Sequence, residues 1–389
     1  MNVFDTPSTV LVTCPRGAAS VCAEELSALG FPVHSELSAA VETTATLREC
    51  MRLNLYLRTA HRVQFVLKQF NASNADQMYA QVHAVPWELW LAPDGYLSIG
   101  SHVVNNDSIR DTRFANVRVK DAIVDRMRAK FDRRPDSGPD STGTVVFLHW
   151  AGDDCTLYLD TSGEPLNRRG YRKIPCRAPM QETLAAATIL ASGWKGDTHF
   201  VNPMCGSGTL AIEAALIALN SAPGLMRENY GFMHVPGYDP ADWDALLDEA
   251  EANEKGELSI RIIATDIDRP TAESAYKNAK EARVERYIQF GACDFTETPI
   301  PEEGGMIIMN PPYGERLGDK ETLGELYAGI GDFFKQRCAG YMGYVFTGNP
   351  DLAKQVGLRT KRKIPFYTAK IECRLLEYEL YGGTRKQKD

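Results

Sequence analysis

The stretch that decides the fold is Val201-Asn202-Pro203-Met204-Cys205-Gly206-Ser207-Gly208-Thr209. It joins an apolar run typical of a strand, residues 198–202, to a run of helical periodicity, residues 208–220. The two glycines let the backbone turn tightly and let a ligand approach it, and the helix behind them offers a positive N-terminus. No Gly-Lys-Ser/Thr follows, so this is not a Walker loop. The stretch, here called the glycine loop, is a candidate ligand loop. A tight strand-to-helix turn is the alternative.

The alternation of strand-like and helix-like runs continues along the rest of the chain. The strand-like runs are residues 198–202, 260–265, 306–309 and 341–347, and the helix-like runs are 208–220, 270–282, 322–338 and 350–356. This alternation is typical of βαβ units and a parallel sheet. A last strand, residues 370–380, has no helix after it. Residues 1–165 mix short strands and helices instead, which is typical of an α+β region.

Acidic side chains come at the ends of two strand-like runs, residues 260–265 and the short run 288–290. Asp266 ends the strand after the glycine loop, where a carboxylate can accept hydrogen bonds from ribose hydroxyls. Asp268 is the better helix N-cap, since Arg269 and Pro270 come next. Asp294 and Phe295 come later, in Ala292-Cys293-Asp294-Phe295, where the carboxylate could accept from an adenine amino group and the ring could pack on the base. A turn aspartate is the alternative for Asp294.

The motif with the strongest chemical content is Asn310-Pro311-Pro312-Tyr313-Gly314-Glu315-Arg316. Two prolines stiffen the chain directly after a buried-looking strand. They would hold the Asn310 side chain and the Pro311 carbonyl as two acceptors for one amino group, while Tyr313 offers a flat face for stacking. Two acceptors on its hydrogens can draw the lone pair of an aromatic amine toward an electrophile. A purely structural turn is the alternative.

Composition excludes several classes of protein. The chain has 389 residues, is 44% hydrophobic and 24% charged, and has a net charge of −8, an ordinary globular balance. No apolar run reaches the length of a membrane helix, and no basic start precedes an apolar core. The nine cysteines include no Cys-x-x-Cys pair, which indicates free thiols in a reducing compartment. We therefore expect a cytoplasmic protein with no membrane partner and no metal.

Three stretches are locally basic despite the acidic total. Residues 110–134 have nine basic and four acidic side chains, residues 168–177 have five basic and none acidic, and residues 354–374 have seven basic and one acidic. Lys and Arg neutralise phosphates, so these stretches predict a track for RNA. A solvated linker is the alternative for residues 168–177.

The ordered motifs resemble the class I S-adenosylmethionine-dependent methyltransferases. Asn-Pro-Met-Cys-Gly-Ser-Gly-Thr, followed by Asn-Pro-Pro-Tyr-Gly-Glu-Arg, resembles the RNA guanine-N2 methyltransferases that carry a THUMP domain, in particular the first methyltransferase half of enzymes that modify 23S ribosomal RNA. The segment from Arg177 to Ala186 is similar to the one that precedes the first strand in that family. The resemblance implies an α/β fold: a Rossmann-like class I methyltransferase domain at 165–389, preceded by α+β ferredoxin-like (1–64) and THUMP (65–164) domains.

The motifs and the resemblance together assign roles to individual residues. The catalytic residues are Asn310, Pro311, Pro312 and Tyr313. The residues for the cofactor, S-adenosylmethionine, are Gln181, Thr183, Asn202, Pro203, Cys205, Gly206, Ser207, Gly208, Asp266, Ile267, Asp294, Phe295 and Asn310. The RNA-binding residues are Arg118, Arg126, Arg168, Arg169, Arg172, Lys173 and Arg316. Asn202 departs from the family, which usually has Asp there; an amide still forms a hydrogen bond but cannot form an ion pair with the ammonium group of the cofactor.

The predicted function is methyl transfer from S-adenosylmethionine to the exocyclic N2 amine of a guanine in RNA. Ribosomal RNA is the first choice of substrate and tRNA the second, and one methylation activity is expected. The alternatives are an adenine-N6 methyltransferase, a protein-glutamine methyltransferase, and a non-catalytic RNA-binding assembly protein. The basic stretches favour RNA over a protein substrate.

Overall fold

The computed structural model describes residues 2–106, 108–109, 111–174, 176, 179–314, 320–368 and 371–382. The chain forms two compact units. The first comprises Met1–Cys14, Cys22–Arg168 and Pro223–Ala252, and the second comprises Pro15–Val21, Arg169–Ala222 and Asn253–Asp389.

The strands and helices are named in chain order. The strands are β1 (Ser8–Thr13), β2 (Ser35–Glu36), β3 (Ala40–Ala45), β4 (Arg62–Asn71), β5 (Tyr96–Val104), β6 (Asp136–Ser137), β7 (Thr144–Ala151), β8 (Asp154–Asp160), β9 (His199–Pro203), β10 (Ile262–Asp266), β11 (Ile288–Ala292), β12 (Gly305–Met309), β13 (Tyr341–Thr347), β14 (Arg362–Thr368) and β15 (Ile371–Glu379). The helices are α1 (Ala19–Ala28), α2 (Leu47–Tyr56), α3 (Ala75–His83), α4 (Thr112–Phe131), α5 (Glu182–Ala191), α6 (Thr209–Ala218), α7 (Pro240–Ala252), α8 (Arg269–Glu281), α9 (Lys320–Arg337) and α10 (Pro350–Gln355).

The first unit contains an eight-stranded sheet in the order β2-β3-β1-β4-β8-β7-β5-β6. Its pairs are antiparallel except those of β5, which runs parallel to β6 and β7. Helices α3 and α4 cover an apolar core in which Trp87 and Trp150 are fully buried. Helix α4 begins at Thr112, where the Asp111 side chain accepts a hydrogen bond from the Arg113 amide and caps the helix.

Residues 223–252 pack in the first unit although they follow α6 in the chain. Their aromatic side chains form a cluster, with ring centroids 5.2 Å apart for Tyr230 and Trp243 and 5.1 Å apart for Phe232 and Trp243. Gly231 lies against β8 so closely that a Cβ there would meet the Asp160 carbonyl oxygen at 2.2 Å. The predicted catalytic domain, 165–389, included this segment. The boundaries 1–64, 65–164 and 165–389 stay a prediction.

The second unit contains a seven-stranded sheet in the order β11-β10-β9-β12-β13-β15-β14. Strands β9 to β13 are mutually parallel, and β15 runs antiparallel to both β13 and β14. The order turns at β9: the chain goes outward through β10 and β11, then returns to β12 on the other side. Ligands bind at such a switch point, outside the carboxyl ends of the strands. The glycine loop, Asp266 and Asn310 all follow strands at that edge.

Two histidines of the first unit, His149 and His234, predict a dependence of stability on pH. The rings of His102 and His149 stack with centroids 5.4 Å apart. Burial, with a smaller contribution from His102, lowers the pKa of His149, and burial lowers the pKa of His234. The unfolded chain therefore takes up protons near pH 6.5 that the folded chain resists. Stability is fully present above about pH 6.5 and falls as the pH drops below it.

Thermal unfolding between about pH 5 and 8 checks this expectation. His149→Gln removes one titrating ring and should flatten the pH dependence. His34→Gln, at an exposed position, is the matched control and should leave it unchanged. A His149→Gln protein with the full wild-type dependence would contradict the assignment.

Candidate active site

The glycine loop contains three residues with a positive φ. Met204, Gly206 and Gly208 have φ of 57°, 57° and 83°, in the left-handed region that favours glycine. The Cys205 amide donates to the Thr265 carbonyl at 2.8 Å, which ties the loop to the end of β10. The Gly208 amide donates back to the Cys205 carbonyl at 2.9 Å, and α6 begins at the next residue.

The two glycines of the loop have different surroundings. A Cβ at Gly208 would meet the Ala275 side chain of α8 at 3.0 Å, so this position needs glycine for packing. A Cβ at Gly206 would meet no atom of the described structure within 4 Å. Gly206 is thus the position where the backbone is open to a ligand, and Gly208 is the one that lets the loop sit against α8.

Asp266 holds the glycine loop in place. One carboxylate oxygen accepts a hydrogen bond from the Gly206 amide at 3.0 Å, and the other accepts from the Asp268 amide at 3.1 Å. Asp268 caps α8 by accepting from the Thr271 amide at 3.0 Å, as predicted. Ile267 lies between them with 73% of its surface exposed. An apolar side chain that exposed, next to a partly exposed carboxylate, offers a surface for a flat ring beside a hydrogen-bond acceptor.

Two asparagines at this edge have side-chain oxygens without a hydrogen-bond partner in the described part of the chain. Asn202 is fully buried, and its amide nitrogen donates to the Ile308 carbonyl at 2.9 Å across β9 and β12. Its Oδ1 is buried and unpaired, and so is Oδ1 of Asn310. Buried polar atoms are normally paired, so unpaired ones at this edge of the sheet are candidate contacts for a ligand.

The segment before α5 is held against the start of α6 by Arg172. Its guanidinium donates to the Met180 carbonyl and to Thr209 Oγ1, the latter at 3.1 Å. This contact places the predicted cofactor residues Gln181 and Thr183 beside the glycine loop. Thr183 is buried, and its hydroxyl has no partner among the described residues. Gln181 is the N-cap residue of α5, and no side-chain hydrogen bond caps the helix there.

In the candidate catalytic motif, Tyr313 packs against the apolar core of the second unit. Pro311 is buried, and Pro312 and Tyr313 are half-buried. The Cys373 thiol donates to the Tyr313 hydroxyl oxygen at 3.6 Å. Burial raises the pKa of the Tyr313 hydroxyl well above its usual range, and Cys373 adds to that rise. Tyr313 is therefore a neutral, anchored ring and not a base.

Asp294 and Phe295 have local partners in this structure. Asp294 accepts from the Thr296 amide at 2.9 Å and from its hydroxyl at 2.6 Å, so the turn alternative describes its present role. The Phe295 ring meets the Phe333 ring edge-on at 5.7 Å. Their contact with an adenine stays a prediction.

The prediction of RNA contact is wrong for two of the arginines, Arg169 and Arg172, because their side chains are buried or nearly so. Arg169 is 1% exposed and pairs with Glu213 of α6, with Nε and Oε1 3.5 Å apart. The side chain of Arg172 is 15% exposed and pairs with Glu182 at 3.3 Å. Both cations neutralise buried carboxylates of the second unit, so they order the segment that precedes α5 and are not free for phosphate.

The other predicted RNA-binding residues differ in how far their charges are available. Arg168 and Lys173 are exposed. Arg126 pairs with Glu88 at 3.0 Å, and Arg118 pairs with Asp76 at 2.8 Å. Arg316 lies outside the described residues. RNA contact stays a prediction for these five.

Asn278 of α8 is a site residue that the sequence did not reveal. It is fully buried, and its side-chain oxygen accepts from the Lys173 and Ile174 amides at 3.1 and 3.0 Å. Its side-chain nitrogen donates to the Ile174 carbonyl at 3.0 Å and to the Ser207 carbonyl at 3.1 Å. The side-chain amide of Asn278 thus joins Lys173 and Ile174, in the basic stretch that begins at residue 168, to the glycine loop. Nothing in the local sequence distinguishes it from a surface asparagine on a helix.

The neighbouring residues Arg168 and Arg169 predict opposite mutational effects. Arg169→Ala leaves the Glu213 carboxylate buried without its cation, so we expect a loss of about 3–5 kcal/mol of unfolding free energy. Arg168 forms an exposed pair with Glu164 at 3.1 Å, so Arg168→Ala should change stability by less than about 0.5 kcal/mol. Urea unfolding of both variants measures this. Equal, small losses would show that Arg169 is not the buried member of the pair.

Family models match three parts of the chain. The model of the RMKL-like methyltransferase domain matches residues 169–377, that of the RlmL ferredoxin-like domain residues 9–64, and that of the THUMP domain residues 72–160. The chain belongs to the RMKL-like methyltransferase family. The predicted fold class, with its three kinds of domain, is therefore confirmed.

Individual proteins similar to this chain are also named as methyltransferases. The ribosomal RNA large subunit methyltransferase K/L of Syntrophotalea carbinolica is 40% identical over 97% of this chain and 54% of its own length. A Synechocystis sp. protein, provisionally assigned as an RNA methyltransferase, is 34% identical over 97% of this chain and 98% of its own length. A crystal structure of a provisionally assigned methyltransferase complexed with SAH has a TM-score of 0.88 and 28% identity, and covers 98% of this chain and 100% of that one. The chain spans about half the length of the Syntrophotalea relative.

The residues that the structure describes contain no helix long and apolar enough to cross a membrane. They also contain no group of three or more His, Cys, Asp and Glu side chains placed to hold a metal ion.

Proposed function

We propose that this chain transfers a methyl group from S-adenosylmethionine to the N2 amine of a guanine in RNA, with large-subunit ribosomal RNA as the first candidate. The observation that carries the proposal is the buried Oδ1 of Asn310, which has no hydrogen-bond partner among the described residues. That oxygen follows β12 at the switch point of the sheet, next to the strand that leads into the glycine loop. An acceptor without a donor at this place matches a substrate that brings an amino group.

The residues at the edge fit S-adenosylmethionine. Gly206 leaves the backbone open, the Asp266 carboxylate is partly exposed, and Ile267 presents an apolar surface. Asp266 would accept from the ribose hydroxyls, and Ile267 would pack against the adenine ring. The unpaired Oδ1 of Asn202 and the Thr183 hydroxyl would accept from the ammonium of the methionine part. Asn202 would do so without a negative charge.

Catalysis in this proposal is positioning. When bound, S-adenosylmethionine supplies an electrophilic methyl group and leaves as the thioether S-adenosylhomocysteine. Asn310 Oδ1 and the Pro311 carbonyl would accept the two amine hydrogens, which turns the nitrogen lone pair toward the methyl carbon. Tyr313 would support the base, which must leave its stack to reach the pocket. Holding the reacting atoms in line can supply much of the rate, and the amine then releases one proton to water.

The choice of RNA as substrate has two supports. The THUMP match at 72–160 and the names of the relatives point to RNA, and exposed Arg168 and Lys173 lie just before the catalytic segment. Ribosomal RNA ranks first because the Syntrophotalea relative is a ribosomal RNA enzyme, and tRNA ranks second. Such a substrate would place the protein in the cytoplasm.

The test is incubation with methyl-labelled S-adenosylmethionine and total RNA from cells that lack this protein, followed by digestion to nucleosides. Label in N2-methylguanosine supports the proposal, and fractionation of the RNA then identifies the substrate. Label in N6-methyladenosine would show that the same site methylates adenine and not guanine. If calorimetry detects no binding of S-adenosylmethionine, the chain is a non-catalytic RNA-binding protein and the proposal fails.

A further inference from the structure

The strongest feature outside the candidate site is the edge of the second sheet. Strand β14 is the last strand in the order of that sheet. The segment that contains it, residues 358–368, has four basic and no acidic side chains, and all four are exposed: Arg359, Lys361, Arg362 and Lys363. The edge of a mainly acidic protein is therefore locally cationic.

Among the described residues, only part of this charge is neutralised by carboxylates. Glu377 of β15 pairs with Arg362 at 2.8 Å and with Lys361 at 3.6 Å. Within the described ranges, Arg359 and Lys363 have no carboxylate within 4.0 Å. These two cations remain available to an anion from outside.

A cavity opens where this segment begins. Its volume is about 780 Å³, within the range of ligand pockets. Three cations contribute to its lining, Lys335 of α9 with Arg359 and Lys361, against the single acid Glu379. Phe334 and Tyr378 are buried beneath this lining, and Tyr381 presents an aromatic ring that is 48% exposed. Cations beside an exposed aromatic ring suit a nucleotide, which has a phosphate and a flat base.

The opposite end of β14 reaches the candidate catalytic motif. Tyr367 donates its amide hydrogen to the Arg16 carbonyl at 3.1 Å, and the exposed Arg16 guanidinium lies 4.1 Å above the Tyr367 ring. The neighbouring Phe366 pairs in register with Cys373, whose thiol contacts the Tyr313 hydroxyl. The seven residues of β14 span about 20 Å. The strand thus runs from the catalytic motif at one end to the cavity at the other.

We propose that Arg16, Arg359, Lys361 and Lys363, here called the basic edge, bind the phosphodiester backbone of single-stranded RNA outside the catalytic pocket, and that the cavity takes one nucleotide. This inference rests on the proposed function, since it names the path of the same substrate. Charges on an edge strand also prevent sheet-to-sheet aggregation. That role requires neither the cavity nor a guanidinium stacked on an aromatic ring, both of which suit unpaired RNA.

The experiment measures RNA affinity against salt. The probe is a fluorescein-labelled single-stranded RNA of mixed sequence, about 20 nucleotides long, followed by anisotropy between about 50 and 300 mM NaCl. The variant is Arg359→Gln with Lys363→Gln. The control is Lys195→Gln with Lys280→Gln, two exposed lysines elsewhere in the second unit, which removes the same charge.

We expect the variant to bind RNA on the order of 10-fold more weakly at about 0.1 M salt, with a slope of log K against log salt shallower by about 1.4, from two lost contacts. The control should keep the wild-type slope. The affinity for S-adenosylmethionine should stay unchanged in both.

Three results would overturn the inference. They are a variant slope equal to that of the wild type, an equal loss in the control, or competition by polyglutamate as effective as by unlabelled RNA. The slope does not depend on catalysis. If the variant has a shallower slope but the chain methylates no RNA, the basic edge is supported and the proposed function is refuted. If the chain methylates RNA but the variant slope is unchanged, the proposed function is supported and the basic edge is refuted.

Discussion

Asn310→Ala should lower the methylation rate by about 100-fold or more and change the affinity for S-adenosylmethionine by less than about threefold. The substitution removes the buried Oδ1 that has no partner in the described structure and leaves the glycine loop and Asp266 intact. Because that oxygen is assigned to the amine of the substrate, its loss should affect the chemical step and not the cofactor. Single-turnover kinetics gives the rate, and titration calorimetry gives the affinity.

Asn349→Ala is the matched control for this measurement. Asn349 follows the neighbouring strand β13, but its oxygen already accepts from the Asp351 and Leu352 amides at 3.0 and 3.1 Å and caps α10. Its loss should lower stability by about 1 kcal/mol and leave turnover nearly unchanged. Equal losses of rate and cofactor affinity in Asn310→Ala would move Asn310 from the substrate to the cofactor.

Gly206→Ala should weaken S-adenosylmethionine binding by about 10-fold or more. The Gly206 backbone has a φ of 57°, and the space where a Cβ would stand is open. If the cofactor approaches the backbone there, a methyl group occupies the place of the ligand. Calorimetric titration with S-adenosylmethionine measures the change.

Gly193→Ala separates this effect from backbone strain. Gly193 also has a positive φ, 84°, and open space at its Cβ position, but it follows the end of α5. Both variants should lose a similar 1–2 kcal/mol or so from the left-handed conformation, and only Gly206→Ala should lose cofactor affinity. Parallel losses in the two variants, or none in either, would remove Gly206 from the cofactor site.

The motifs that the sequence revealed are those whose chemistry acts over a few residues. The glycines at 206 and 208 predicted a tight turn, and Asp268 before Arg269-Pro270 predicted a helix cap, because backbone conformation and capping depend on adjacent residues. The availability of a charged side chain, in contrast, does not depend on adjacent residues alone. Arg168 and Arg169 look alike in the sequence, yet one is exposed and the other is buried against Glu213. The distant residue that neutralises a charge decides whether it is available to RNA.

The sequence by itself determined the class of sheet, the order of the motifs along it and the kind of ligand that each motif suits. Alternating periodicities predict parallel strands, and parallel strands bring their carboxyl ends to one edge. The tertiary structure decided which side chains have partners. It paired Asn202 with the Ile308 carbonyl, gave Asn278 four hydrogen bonds and placed residues 223–252 in the first unit. Such contacts join residues far apart in the chain, and burial, which sets their strength, exists only once the core has formed.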